Sequence, residues 1–197
     1  MNYKEYLGDL IGGGLMIRES QLVAQLLLQK PDKAAWDEAI IQQNILQKRS
    51  DASAKRNAAT IRTRLSGVND EYLEKLAFGN TEISTQLMFA ATLMNSTMLA
   101  DFMRTVVLDA KRLFRQSLDS SDWEHFWLQR SRLFPELATM TESSTYKIAQ
   151  VAMKCVADAG YIESTRSKTL QNVYVQPDVR ALLMQLGRED IISAMEV

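Results

Sequence analysis

His125 is the only histidine of this chain, and in "DWEHFW" it follows carboxylates at Asp122 and Glu124. Those side-chain types could move protons or hold a metal. A working site needs more: a second base or nucleophile placed by another element, or the HExxH and paired CxxC spacings of zinc proteins, and none of these occurs. "GGG" at 12–14 leads into Leu15 and Met16 instead of the Lys-Ser/Thr pair of a phosphate loop. Cys155 has neighbours at helical spacing that place it on an apolar face, where a buried thiol acts as a small hydrophobe. The sequence therefore predicts no enzyme, no small-molecule substrate, no metal and no cofactor.

Binding is another matter. "LQKRSDASAKRNAATIRTRL", residues 46–65, holds Lys48, Arg49, Lys55, Arg56, Arg62 and Arg64 against one acid, Asp51. Residues 48–65 thus sum to +5, whereas the whole chain is −1 and every other segment is acidic on balance. A solvated helix face, the ordinary home of a charge run, mixes signs to gain pairs three and four residues apart. This one does not, so it favours a localised anionic partner.

A helix must carry that charge. Ser50 and Asp51 can cap one running from 52 to about 65, ended by Gly67. With Ala54 as the zero of a helical wheel, Ala58, Ile61 and Leu65 fall within about 40° and define a buried stripe. Lys55 and Arg62 then lie near about 80–100°, Arg56 near about 200° and Arg64 near about 280°. Cations on both flanks suit a helix placed between two phosphate walls, as in a major groove.

Helical periodicity extends over most of the chain: 19–29, 32–46 behind Asp32, 69–78, 81–94, 96–118, 121–134 before Pro135, 141–158 before Gly160, and 178–186 before Gly187. Between the last two, "YIES" and "LQNVYVQP" flank the polar "TRSKT" as a β-hairpin does. The expected fold is mainly α, a multi-helix bundle with a C-terminal winged helix-turn-helix-like element containing a short hairpin. Residues 1–118 form a helical domain and 119–197 a winged domain packed on it. On the helix at 145–158, Ile148, Val151, Ala152, Cys155 and Ala159 share the core face. Tyr146, Lys147, Gln150 and Lys154 lie opposite, where a recognition helix would present them to a groove. Arg166 and Lys168 would occupy the wing tip, facing phosphates.

The totals narrow the setting. With 46% apolar and 24% charged residues in a chain of 197, the composition is that of an ordinary globular protein. A single cysteine excludes an internal disulfide and suits a reducing cytoplasm. The start, with Glu5 and Asp9 beside a short apolar run, is unlike a secretory signal. The longest uncharged run, Ile83–Ala100, is broken at "NST" and holds seven Ser, Thr, Gln or Asn residues, so it predicts two buried helices and no membrane span.

Taken in succession, "GGGLMIRES", "ILQKRSDASAKRNAATIRTRL", "DFMRTVVLDAKRLF", "AGYIESTRSKTLQNVYVQPDVRALL" and the terminal "SAMEV" resemble the BrxA family, a small core component of bacterial BREX phage-defence systems. The resemblance covers nearly the whole chain. It implies a helical protein with a small hairpin and no known enzymatic activity, sometimes compared with the antitermination factor NusB. It further implies double-stranded DNA binding beside other BREX proteins: an ATPase, a phosphatase-like protein, an adenine methyltransferase and a Lon-like protein. The basic helix (Lys48, Arg49, Lys55, Arg56, Arg62, Arg64) and the wing (Arg166, Lys168) carry that expectation over. Two other readings stay open: a protein–protein scaffold whose basic helix docks an acidic partner, and RNA binding, for which stacking aromatics are lacking.

Overall fold

Asn2 and Glu5 start the first helix reciprocally: the Asn2 side chain accepts from the Glu5 N–H, and the Glu5 carboxylate accepts from the Asn2 N–H, both at 3.0 Å. The computed structural model describes residues 1–197. Its helices are α1 (Tyr3–Leu7), α2 (Ile17–Leu28), α3 (Lys33–Asp37), α4 (Asp51–Arg64), α5 (Asp70–Phe78), α6 (Thr81–Asn95), α7 (Thr97–Phe102), α8 (Leu108–Arg112), α9 (Ser120–Leu133), α10 (Glu142–Asp158), α11 (Pro177–Gln185) and α12 (Glu189–Met195). A π-helical turn, Glu38–Gln42, prolongs α3, another, Met103–Val107, joins α7 to α8, and a 3₁₀ turn, Pro135–Thr139, follows α9.

Short polar side chains set the starts. Asp32, Ser50, Asn69, Asn80, Ser96 and Thr141 each accept the backbone N–H three residues on, which satisfies donors the helix cannot. The uncharged run becomes the centre of the molecule. From Gln86 to Leu93 every residue of α6 is buried, and Ser96 divides α6 from α7 as the "NST" break predicts. Around α6 pack α2, α4, α5, α7, α11 and α12. No helix is long and apolar enough to cross a membrane. One cluster of 51 buried apolar residues runs from Tyr6 to Met195 and draws on both sides of residue 118.

The expected hairpin does not form as strands. Only two isolated antiparallel bridges occur, Ile162 with Leu170 and Ser117 with Thr169. The alternation in "NVYV" is real, since Val173 and Val175 pack inward while Tyr174 is exposed. What the segment lacks is a neighbouring strand. The Gln86 side chain takes that place, donating to the Tyr174 carbonyl and accepting from the Gln176 N–H, each at 2.8 Å. A winged element with a β-hairpin is therefore not supported. Two helices also end early: that expected over 96–118 stops at Arg112, and that over 32–46 at Gln42, where Phe114 (φ +54°) and Asn44 (φ +46°) turn left-handed. The short α1 and the terminal α12 offered too few turns for periodicity to show.

The loop between α1 and α2 is the hinge pin of the structure. Gly14 lets its backbone lie against α10: a Cβ there would stand 2.7 Å from the Asp158 carboxylate and 3.0 Å from Lys154 Cγ. The same carboxylate accepts from the Leu15 N–H at 3.2 Å. Gly14→Ala forces Asp158 aside, and its expected cost is about 1–2 kcal/mol, a fall in Tm of roughly 2–8 °C by calorimetry. An unchanged Tm would show that the loop and α10 separate freely.

Candidate nucleic-acid interface

Helix α4 beds Ala54, Ala58, Ile61 and Leu65 in the core, as the wheel predicts, together with Thr60. Its outer face carries Lys55, Arg56 and Arg62, with Arg49 just before the cap, and all four are exposed. None of the four forms an ion pair, whereas nine other Lys and Arg residues of the chain do. The Arg62 guanidinium lies 4.6 Å from the ring centre of half-buried Trp36, a stack that orients it without neutralising it.

The segment leading into α4 is held firmly. Asn44 grips Lys48 at both ends, accepting from its N–H at 2.9 Å and donating to its carbonyl at 2.8 Å. Arg18 at the start of α2 donates to Gln47 at 2.5 Å, which adds a cation to this edge that no local sequence pattern announces.

Two of the six cations of residues 46–65 are otherwise engaged. Lys48 pairs with Glu19 at 2.6 Å. Burial of that carboxyl raises its pKa, but the Lys48 hydrogen bond, a backbone hydrogen bond and the charges of Lys48 and Arg18 together outweigh this and hold it below the usual carboxylate range. Arg64, expected on a flank, is 2% exposed. Its guanidinium donates to the carbonyls of Gly13 and Gly14 at 2.8 Å each and of Asp9 at 3.1 Å. Arg64 is thus an anchor of the glycine loop, and that is the role the "GGG" run serves. The sequence signal was there to read: three of the eight glycines in a glycine-poor chain stand together.

The second group of expected contacts also converges, in different company. Lys147, Gln150 and Lys154 project from α10, with buried Ile148, Val151, Ala152, Cys155 and Ala159 behind them. With Lys168 they line a groove of about 1000 Å³ between α10, the start of α9 and the turn at 165–168, whose walls also include Asp119, Glu124 and Glu142. Lys154 pairs with Asp158 at 2.5 Å, and Lys168 Nζ donates to Ser120 at 3.1 Å. Arg166 is exposed at the tip of that turn. The groove is mixed in sign, while the α4 face sets four unpaired cations against one exposed acid, Asp51.

The acid–base candidates are dispersed. Arg115 forks onto Asp122 at 2.8 and 2.7 Å. Partial burial raises the Asp122 carboxyl, yet the hydrogen bond from Arg115 leads the opposing effects that hold it low. His125 and Glu124 are exposed, and no group of three His, Cys, Asp or Glu residues could hold a metal. Cys155 is fully buried under the glycine loop, and burial pushes its thiol up to about 12. The native thiol is expected to stay unlabelled by dithionitrobenzoate near about pH 8 and to react once the chain is unfolded in guanidinium chloride. Rapid native labelling would contradict the packing of that loop.

This arrangement can be set beside known proteins. The sequence model of BrxA matches residues 4–187. The chain belongs to the BrxA family. Similar proteins include BREX protein BrxA of Escherichia coli O9:H4 (strain HS), 41% identical over 195 residues, covering 99% of this chain and 92% of the relative. BREX protein BrxA of Paramagnetospirillum magneticum (strain ATCC 700264 / AMB-1) is 31% identical over 192 residues, covering 98% and 96% of the two chains. Among solved structures, that of an uncharacterized protein from Magnetospirillum magneticum superposes with a TM-score of 0.88 at 29% identity, covering 97% of this chain and 98% of the other. The two chains therefore share one fold over nearly their whole lengths.

Proposed function

We propose that this protein is a non-enzymatic, double-stranded DNA-binding component of a BREX phage-defence system, acting in the cytoplasm with other BREX proteins. Family membership supports the defence role. A single observation carries the DNA reading: Arg49, Lys55, Arg56 and Arg62 stand exposed and without carboxylate partners on and beside one rigid helix of a chain whose net charge is −1. Concentrated unpaired charge of one sign costs folding stability, and phosphates on either side of the helix would offset it.

These cations contact phosphate. The α4 surface offers small and threonine side chains between its cations and little that could read base edges, so the binding is of low sequence specificity. The test is fluorescence anisotropy of the full chain with a labelled duplex of about thirty base pairs over a salt series. Four phosphate contacts give a log–log salt slope of about −3 to −4, with dissociation constants of roughly 10⁻⁴ to 10⁻⁶ M near physiological salt. Absence of binding at low salt would sink this reading and leave an acidic protein face as the partner of α4.

A further inference from the structure

Leu113 and Phe114 lie outside the hydrophobic core. They are 73% and 92% exposed in the loop after α8. At φ +54°, Phe114 occupies the left-handed position that glycine usually takes when a helix ends. The loop is pinned nonetheless. The Phe114 N–H donates to the Lys111 carbonyl and the Arg115 N–H to the Ala110 carbonyl, both at 2.9 Å. The Arg115 side chain is clamped on Asp122 and reaches Asp119 at 3.0 Å. Beyond it, Leu118 donates to the Lys168 carbonyl at 3.0 Å and Leu170 to the Gln116 carbonyl at 2.9 Å. Two large apolar side chains are therefore held outward by a loop tied to the turn that bears Arg166.

We propose that Leu113 and Phe114 form an apolar wedge that enters a base step of duplex DNA from the minor groove; the inference rests on the duplex reading above. Size argues for this occupant. Two such side chains offer about 300 Å², against roughly 800 Å² that a stable protein contact takes from each partner. Along the chain the pair is bounded by exposed Arg112 on one side and by Arg115 and exposed Gln116 on the other. Charge argues the same way: Arg112 has no carboxylate partner and exposed Arg166 stands on the adjoining turn, while Arg115 offsets the nearby acids Asp119 and Asp122. A rigid apolar tip flanked by cations is what unstacking a step while holding the neighbouring phosphates requires, and it bends the duplex by about 20–90°.

The test uses the full chain and a duplex carrying 2-aminopurine at a central TA step, with donor and acceptor dyes at its ends. Wild type is expected to raise 2-aminopurine fluorescence and end-to-end energy transfer. Leu113→Ser/Phe114→Gly is expected to bind with the same salt slope, about tenfold more weakly, without either rise. Glycine suits the φ of Phe114, so this variant keeps its thermal stability. A duplex saturated by wild type with no unstacking overturns the wedge alone, whereas no binding at low salt overturns the duplex reading and the wedge with it. If the variant instead loses self-association by light scattering while DNA binding is unmoved, the pair belongs to a second copy and the wedge is wrong.

Discussion

Lys55→Glu/Arg56→Glu is expected to weaken duplex binding roughly a hundredfold and to flatten the salt slope from about −4 to about −2. The two side chains are exposed and unpaired, so the substitution touches no internal contact. Unit charges about 4 Å apart in water interact by about 1 kcal/mol, and reversal replaces an attraction by a repulsion at each position. Screening at physiological salt leaves about 2–3 kcal/mol of that difference. Tm should hold within about 2 °C, because both side chains are exposed and make no internal contact.

The matched control is Lys147→Glu/Arg166→Glu. The α10 groove already contains Asp119, Glu124 and Glu142, so phosphates there would meet carboxylates as well as lysines. A smaller loss is expected, by about fivefold. If this pair instead abolishes binding while the α4 pair is tolerated, the interface lies along α10 and the proposed role of α4 is wrong. Lys55 and Arg56 are preferred to Arg62 because the stack on Trp36 would mix a packing loss with the charge effect.

What could be read in advance follows the range of the interactions involved. The α4 stripe Ala54–Ala58–Ile61–Leu65 and the α10 face around Cys155 were legible because an amphipathic helix records its burial every three to four residues. Caps such as Asp32, Ser50 and Thr141 were legible because their partners are three residues away. The strand pairing around Tyr174 was not, since its outcome turned on Gln86, some ninety residues earlier. Arg64 was misplaced for a similar reason. A wheel shows the direction of a side chain, but only the path of residues 8–16 could reveal that carbonyls converge on it.

That misplacement makes Arg64 the most informative position for stability. A buried cation without a carboxylate at its head is held by backbone alone, through the three carbonyls of the glycine loop. Burial lowers its pKa, yet a guanidinium remains charged throughout the ordinary pH range. Arg64→Met keeps most of the side-chain volume and removes the donors. Bonds to charged donors contribute about 1.5–3 kcal/mol each, and the orphaned carbonyls are partly relieved by water once the loop loosens. The net loss is expected near about 4 kcal/mol, a fall in Tm of about 10 °C. The variant should also release Cys155 to dithionitrobenzoate, because the thiol lies 3.8 Å from the Gly13 carbonyl that Arg64 holds. At temperatures where the variant is folded, its affinity for duplex and its salt slope should match wild type. A loss of DNA binding without a loss of stability would return Arg64 to the interface and refute its role as the anchor between α4 and α10.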